Sequence, residues 1–171
     1  RTSSAIRRAL DYQHSATIAR VGKRLVIQAA APVMDAAFVV RGAVVATAPL
    51  DEHLADLIKS VVGAEVGFWD GPKPLASSFV DANGERLPGV RPSAELVRRV
   101  MLLGEIGEAV AVIGGRDYSL AFVPLQTVVG QRLGMMAVGL DRGELAQVQR
   151  SAKRSLVLGA TGALVLALVA A

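Results

Sequence analysis

Residues 64–140 break into short apolar runs separated by glycine, proline and aspartate, and only one of those runs has a helical period. Ala64, Val66 and Phe68 alternate with Glu65, Gly67 and Trp69, Asp70-Gly71 makes a turn, and residues 74–80 resume an extended path. Residues 81–89 (DANGERLPG) are loop chemistry. Pro92 and Ser93 then open a helix with Leu96, Val97, Val100, Met101 and Leu103 on its buried stripe and Gly104 at its end. Residues 108–113, 118–125 and 132–140 read as three further strands, joined at Gly114-Gly115-Arg116-Asp117 and at Val129-Gly130-Gln131. Strands joined by such short turns predict an antiparallel sheet with helices flanking it, an α+β domain.

The preceding segment is organised differently. Ile6, Leu10, Thr17 and Val21 share one loose helical stripe with arginines outside it, which predicts a long amphipathic N-terminal helix over roughly the first twenty residues. Residues 23–33 and 38–48 are Val- and Ala-rich and extended, and the intervening MDAA suits a hairpin. Leu50, Leu54, Leu57, Ile58 and Val61 recur at helical spacing, with Asp51 as N-cap and Gly63 as the stop. The steps APV, RG and LD at Ala31, Arg41 and Leu50 return as VPL, LG and LD about 90 residues later. Two readings stand: residues 1–49 close a truncated preceding module, or any two Ala/Val hairpins look alike.

The chain has 171 residues, 52% of them hydrophobic, which excludes intrinsic disorder, and no cysteine, which excludes disulfides, zinc-thiolate sites and thiol nucleophiles. Its net charge of +4 is concentrated at the two ends: Arg1, Arg7, Arg8, Arg20, Lys23 and Arg24 at one, Arg142, Arg150, Lys153 and Arg154 at the other. The body between lacks the basic face with stacking aromatics that a nucleic-acid surface needs, so no nucleic-acid partner is expected. Residues 155–171 (SLVLGATGALVLALVAA) carry no charge over about 25 Å of helix. They are expected to be a transmembrane helix cut short, with 141–154 as a polar juxtamembrane helix. A buried C-terminal core helix is the alternative. Gly159 and Gly162 suit close helix packing in a homodimer.

Residues 63–140 resemble the Cache superfamily, PAS-like extracytoplasmic sensory domains of bacterial receptors. The residues that carry the likeness are VGFWDGPKPLASSFVDANGERLPG, the helix SAELVRRVMLLG, the run GEAVAVIGGRDYSLAFVPLQTVVGQRLGMMAVGLD and the apolar helix after it. The resemblance implies a PAS-like antiparallel sheet as the sensory module (63–140), and the segment before it (1–62) suggests a double-Cache arrangement. It implies an extracytoplasmic ligand-sensing domain of a transmembrane histidine kinase, chemoreceptor or cyclic-di-nucleotide enzyme. The sensory domain is then periplasmic or extracellular on a bacterial inner membrane. The alternative is a membrane-anchored, non-sensory protein-interaction scaffold. Phe79 and Val80 make the end of the second strand more apolar than in members with polar pocket residues there.

Catalysis is not expected: His14 and His53 stand alone, Gly114-Gly115 is followed by no GK[ST], and Ser77-Ser78 lack a GxSxG frame. No cofactor or metal is called for. By resemblance and by place on inner strands or the capping loop, the candidate ligand-binding residues are Trp69, Ser77, Ser78, Arg91, Arg116, Tyr118 and Phe122. Arg91 or Arg116 is suited to clamp a carboxylate of a small molecule, with the serines donating hydrogen bonds. Each has a plainer reading. Trp69, Tyr118 and Phe122 are also what a core contains, Arg116 is also a solvated turn residue, and Arg91 is also a surface charge before Pro92.

Overall fold

In the computed structural model the described residues are 4–145, arranged as two antiparallel sheets with helices against them. The first sheet has the order β1-β2-β3, from β1 (Ser15–Val21), β2 (Arg24–Met34) and β3 (Val40–Pro49). A short helix α1 (Ser4–Leu10) packs Ala5 and Ala9 against Ala30 of β2. The long N-terminal helix is therefore not what forms. Residues 15–21 (SATIARV) pair over their whole length with β2, from Ser15 opposite Ala30 to Val21 opposite Arg24. β-branched Thr17, Ile18 and Val21 favour the strand, and Gly22 at a φ of 60° makes the two-residue loop that returns the chain. At the other hairpin the Asp35 carboxylate accepts from the N–H groups of Ala37 and Val39, each at 2.9 Å, which shapes the turn before β3.

The helix α2 (Glu52–Val62) starts and stops where its signals lie. The Asp51 side chain accepts the Leu54 N–H at 3.0 Å, and Gly63 at a φ of 67° returns its N–H to the Lys59 carbonyl. The second sheet follows: β4 (Glu65–Asp70), β5 (Lys73–Ser77), β6 (Gly107–Ile113), β7 (Arg116–Gln126) and β8 (Arg132–Asp141), in the order β5-β4-β8-β7-β6. Between β5 and β6 the chain leaves the sheet, crosses one face as a loop and enters α3 (Ala94–Arg98). That helix widens into a π-type turn over Arg99–Leu103 and ends at Gly104, φ 76°. The expected strand-strand-helix-strand-strand-strand order is what the sheet contains. The fold is thus an α+β arrangement of antiparallel sheets with few helices. A four-residue α4 (Arg142–Leu145) closes the described part.

Period-two alternation gives this sheet two buried faces. On the inner face Trp69, Tyr118, Leu120, Phe122 and Met135 pack against Phe79, Leu96 and Val100 of the crossing segment and α3. On the outer face Val66, Phe68, Leu125 and Met136 meet Leu50 and Ala55 together with Ile18 and Leu25 of the first sheet. Polar contacts fasten the two sheets: the Arg20 guanidinium donates two bonds of 2.9 Å to Asp70, and Thr17 Oγ1 accepts the Val128 N–H at 3.0 Å. Among the described residues no helix is long and apolar enough to cross a membrane. The membrane-helix expectation for 155–171, and residues 146–154 of the juxtamembrane one, fall outside the described residues.

The close approach of the two sheets has a direct test at glycine. A Cβ on Gly134 would stand 2.6 Å from the Trp69 carbonyl oxygen and 2.8 Å from Leu25 Cδ1, whereas one on Gly42 would meet nothing within 4 Å. Gly134→Ala is expected to lower the unfolding free energy by about 1–3 kcal/mol in urea denaturation, and Gly42→Ala to leave it unchanged or slightly raised.

Candidate functional site

Trp69 sits at the centre of the inner face. It is fully buried, its indole N–H donates to the Val90 carbonyl at 3.0 Å, and Phe122 meets it edge-on with ring centroids 5.1 Å apart. The ring lies against two glycines, because a Cβ on Gly67 would come within 2.6 Å of it and one on Gly89 within 3.1 Å. Gly89 also holds a φ of 80°, so the loop can close over the indole only as glycine. Tyr118, on the same face, packs edge-to-face on Phe79 at 5.1 Å, and burial pushes its phenol pKa up.

The two serines act on the backbone. Ser77 Oγ donates to the Leu87 carbonyl, tying β5 to the crossing loop. Ser78 Oγ accepts the Val66 N–H at 2.9 Å and donates to Glu65 Oε2 at 2.5 Å, and the Ser78 N–H reaches the Val66 carbonyl at 2.8 Å. Arg86 locks the same loop to α2: its guanidinium donates to Asp56 at 2.7 and 3.1 Å and to the Ser77 carbonyl at 2.5 Å. Arg116 is the first residue of β7, largely exposed, with Nη1 3.9 Å from Asp141.

The opening nearest this core is a cleft of about 260 Å³ between the start of α3 and β6. Arg91, Ser93, Glu95 and Arg99 stand on one side, residues 107–111 of β6 on the other, and Phe122 also lines it. Of the seven residues expected from sequence, the structure brings Arg91 and Phe122 to the cleft and sets Trp69 directly behind Phe122. Ser77, Ser78, Arg116 and Tyr118 do not line it. Ser93, Glu95, Arg99 and Glu108 do and were not singled out. The four-residue spacing of Glu95 and Arg99, which shares a helix face, is the signal that marks that pair. The side chains of Arg91 and Glu108 have no ion-pair or hydrogen-bond partner among the described residues. Arg99 pairs with Glu105 at 3.2 Å and Glu95 with Arg98 at 2.8 Å. A larger cleft, about 550 Å³, lies between the Gly22 hairpin and the start of α2, lined by Arg24, Glu52 and His53 among others. No group of three metal-ligating side chains occurs among the described residues.

One guanidinium links the cleft's helix to the last strand. Arg132, the first residue of β8, donates from Nη1 to the carbonyls of Leu102 at 2.7 Å and Met101 at 3.2 Å, capping the π-type turn that Arg99 begins. A Cβ on Gly104 would come within 2.5 Å of that guanidinium.

Compared with known proteins, residues 47–152 match the model of a family described as Single cache domain 3. No curated protein matches the chain. Among solved structures, the extracellular domain of the putative histidine kinase rpHK1S-Z16 is similar at 13% identity, over 84% of this chain and 61% of that one, with a TM-score of 0.38. The periplasmic sensory domain of the Campylobacter jejuni chemoreceptor Tlp1 gives 10%, 87%, 58% and 0.39 in the same order. The ligand-binding domain of the Pseudomonas aeruginosa amino acid chemoreceptor PctC, in complex with GABA, gives 18%, 82%, 61% and 0.34. The chain spans about three fifths of the length of these structures.

The loop that walls the cleft carries a pH dependence. The Arg86 guanidinium beside Asp56 holds that carboxyl below the usual aspartate range. A lowered folded pKa contributes stability that is fully present above the unfolded value, about 3.9, and is lost as pH falls through the folded one. Unfolding free energy measured in urea from pH 7 downward is expected to fall through that acid range, and Asp56→Asn to flatten the fall.

Proposed function

Because the chain belongs to the Single cache domain 3 family, we propose that it is the extracytoplasmic ligand-sensing part of a bacterial transmembrane signal-transduction receptor. The receptor would be a histidine kinase, chemoreceptor or cyclic-di-nucleotide enzyme of the inner membrane. Residues 155–171 anchor it as a transmembrane helix that pairs with a second copy, and residues 63–140 form the sensory module. The ligand is a small molecule with a carboxylate. The observation that carries this reading is Arg91: a guanidinium without a partner among the described residues, at the mouth of a cleft beside a buried aromatic. A carboxylate there gains a charge-assisted pair at the cost of little desolvation, since Arg91 is exposed.

A ligand seated between Arg91 and Arg99 bears on the start of the π-type turn. Arg132 holds the end of that turn, so a shift of α3 is passed to β8, which leads through Asp141 into α4 and toward the membrane segment. Differential affinity for two positions of α3 is then the signal. Residues 1–49 form the end of a preceding module in a double-Cache arrangement. Support comes from β3, whose ten residues form a free edge and are mostly exposed, Val44 and Val45 included, as in a sheet that awaits further chain.

A thermal-shift panel of small organic acids and amino acids tests the ligand class. A binder at a hundredfold excess over its Kd adds about 2.7 kcal/mol to the folded state and raises Tm. The expected result is a rise with a carboxylate that Arg91→Ala removes while its own unliganded Tm stays that of the parent. A panel with no rise, or a rise that survives Arg91→Ala, contradicts the assignment.

A further inference from the structure

The wall of the cleft opposite Arg91 is a sheet edge. β6 pairs with β7 alone and ends the sheet on that side. Every second residue of such a strand turns its N–H and C=O outward, and no backbone hydrogen bond to them is found among the described residues. Folded proteins blunt exposed edges with lysine, proline, bulges or short strands. The opposite edge of this sheet obeys that rule: β5 carries Lys73 and Pro74, and its pairing with β4 shifts register after Phe68. β6 (GEAVAVI) has none of these devices. Its pairing with β7 runs unbroken from Gly107 to Ile113, and its one charge is Glu108. Val110 and Val112 stand 63% and 69% exposed on the face turned from the core.

This bare edge does not face open solvent alone. Residues 108–111 look across the cleft at Arg91, Ser93 and the first turns of α3. A free strand edge set opposite a helix is a geometry into which an extended peptide adds as one more strand. Its backbone pairs with the edge, and its alternate side chains enter the groove. The volume of about 260 Å³ falls short of the roughly 300–1,000 Å³ of drug-sized pockets but suits one or two side chains of such a strand. Arg91 supplies a free positive charge on the α3 side, where Glu95 is already taken by Arg98, whereas the unpaired carboxylate of Glu108 stands on the β6 side, so an acid of the peptide belongs at the Arg91 wall and away from Glu108.

We propose that the open edge of β6 and the facing start of α3 bind an extended acidic peptide segment by strand addition, with a carboxylate of the peptide, side-chain or C-terminal, on Arg91. This rests on the reading that the cleft is the binding site, and it names the partner that the site's backbone is built to take. A peptide and a small carboxylate would then compete for the same guanidinium.

The test pans a random peptide library with free C-termini against the full 171-residue chain and measures the synthesised hits by fluorescence anisotropy. The expected hits alternate apolar side chains and carry an acid. N-methylation along a hit is expected to weaken binding at every second position, and Arg91→Ala to weaken it on the order of tenfold. Ala109→Pro and Val110→Pro form a pair, since one removes an outward N–H and the other a ladder N–H to β7. The variant that keeps the parental melting curve is expected to lose the peptide. Failure to select any peptide, hits insensitive to N-methylation at every position, or an edge covered by a second copy of the chain, seen as dimerisation that the folded proline variant abolishes, would each overturn the proposal. A small carboxylate that still raises Tm through Arg91 in that case leaves the sensory reading standing. If Arg91→Ala alters neither response, both fail.

Discussion

The bond from the Trp69 indole to the Val90 carbonyl holds the crossing loop closed over the inner face of the second sheet. It draws the crossing loop down onto the sheet, with Gly67 and Gly89 giving up their side chains to let the ring lie between them. Phe79, Leu96, Val100, Tyr118 and Phe122 then fill the remaining space. Truncating a buried aromatic of this kind costs a domain roughly 3–5 kcal/mol. The inner face is therefore occupied by the protein's own side chains. The proposed binding site accordingly lies at the rim, where α3 begins and β6 runs uncovered.

The arginines divide by what they hold. Arg20, Arg86 and Arg132 each reach a backbone carbonyl, and Arg20 and Arg86 a carboxylate as well, so they act as fasteners between segments far apart in sequence: β1 to β4, the crossing loop to α2, β8 to the end of α3. An exposed ion pair alone contributes about 0–1 kcal/mol, and it is the added carbonyl contact that fixes geometry here. The Arg20 pair also holds the Asp70 carboxyl below its ordinary pKa. Arg91 does none of this, which is why it reads as the group kept for a partner.

Much of the second sheet was legible from sequence because its signals are local. Asp51 and Gly63 bound α2, Ser93 and Gly104 bound the helix at the cleft, and turn glycines separate β6, β7 and β8. What failed was local too, but ambiguous: Thr17 and Val21 of SATIARV repeat the four-residue spacing of Ile6 and Leu10 and so fit a helix as well as a strand, and only the partner β2 decides. The candidate site was less legible. Ser77 and Ser78 look like free donors until the loop brings Leu87 and β4 brings Val66 to them, a pairing across ten or more residues that no motif records. Nor does composition announce the π-type turn, which depends on how Arg132 meets Met101 and Leu102.

Trp69 is the chain's single tryptophan, so its fluorescence reports directly on the closed loop and filled inner face. The account predicts a blue-shifted emission in the folded chain that acrylamide scarcely quenches, turning red and quenchable only through the cooperative unfolding transition. A red-shifted, readily quenched emission under native conditions would mean that the loop does not close over the indole and that the inner face is open to ligands after all.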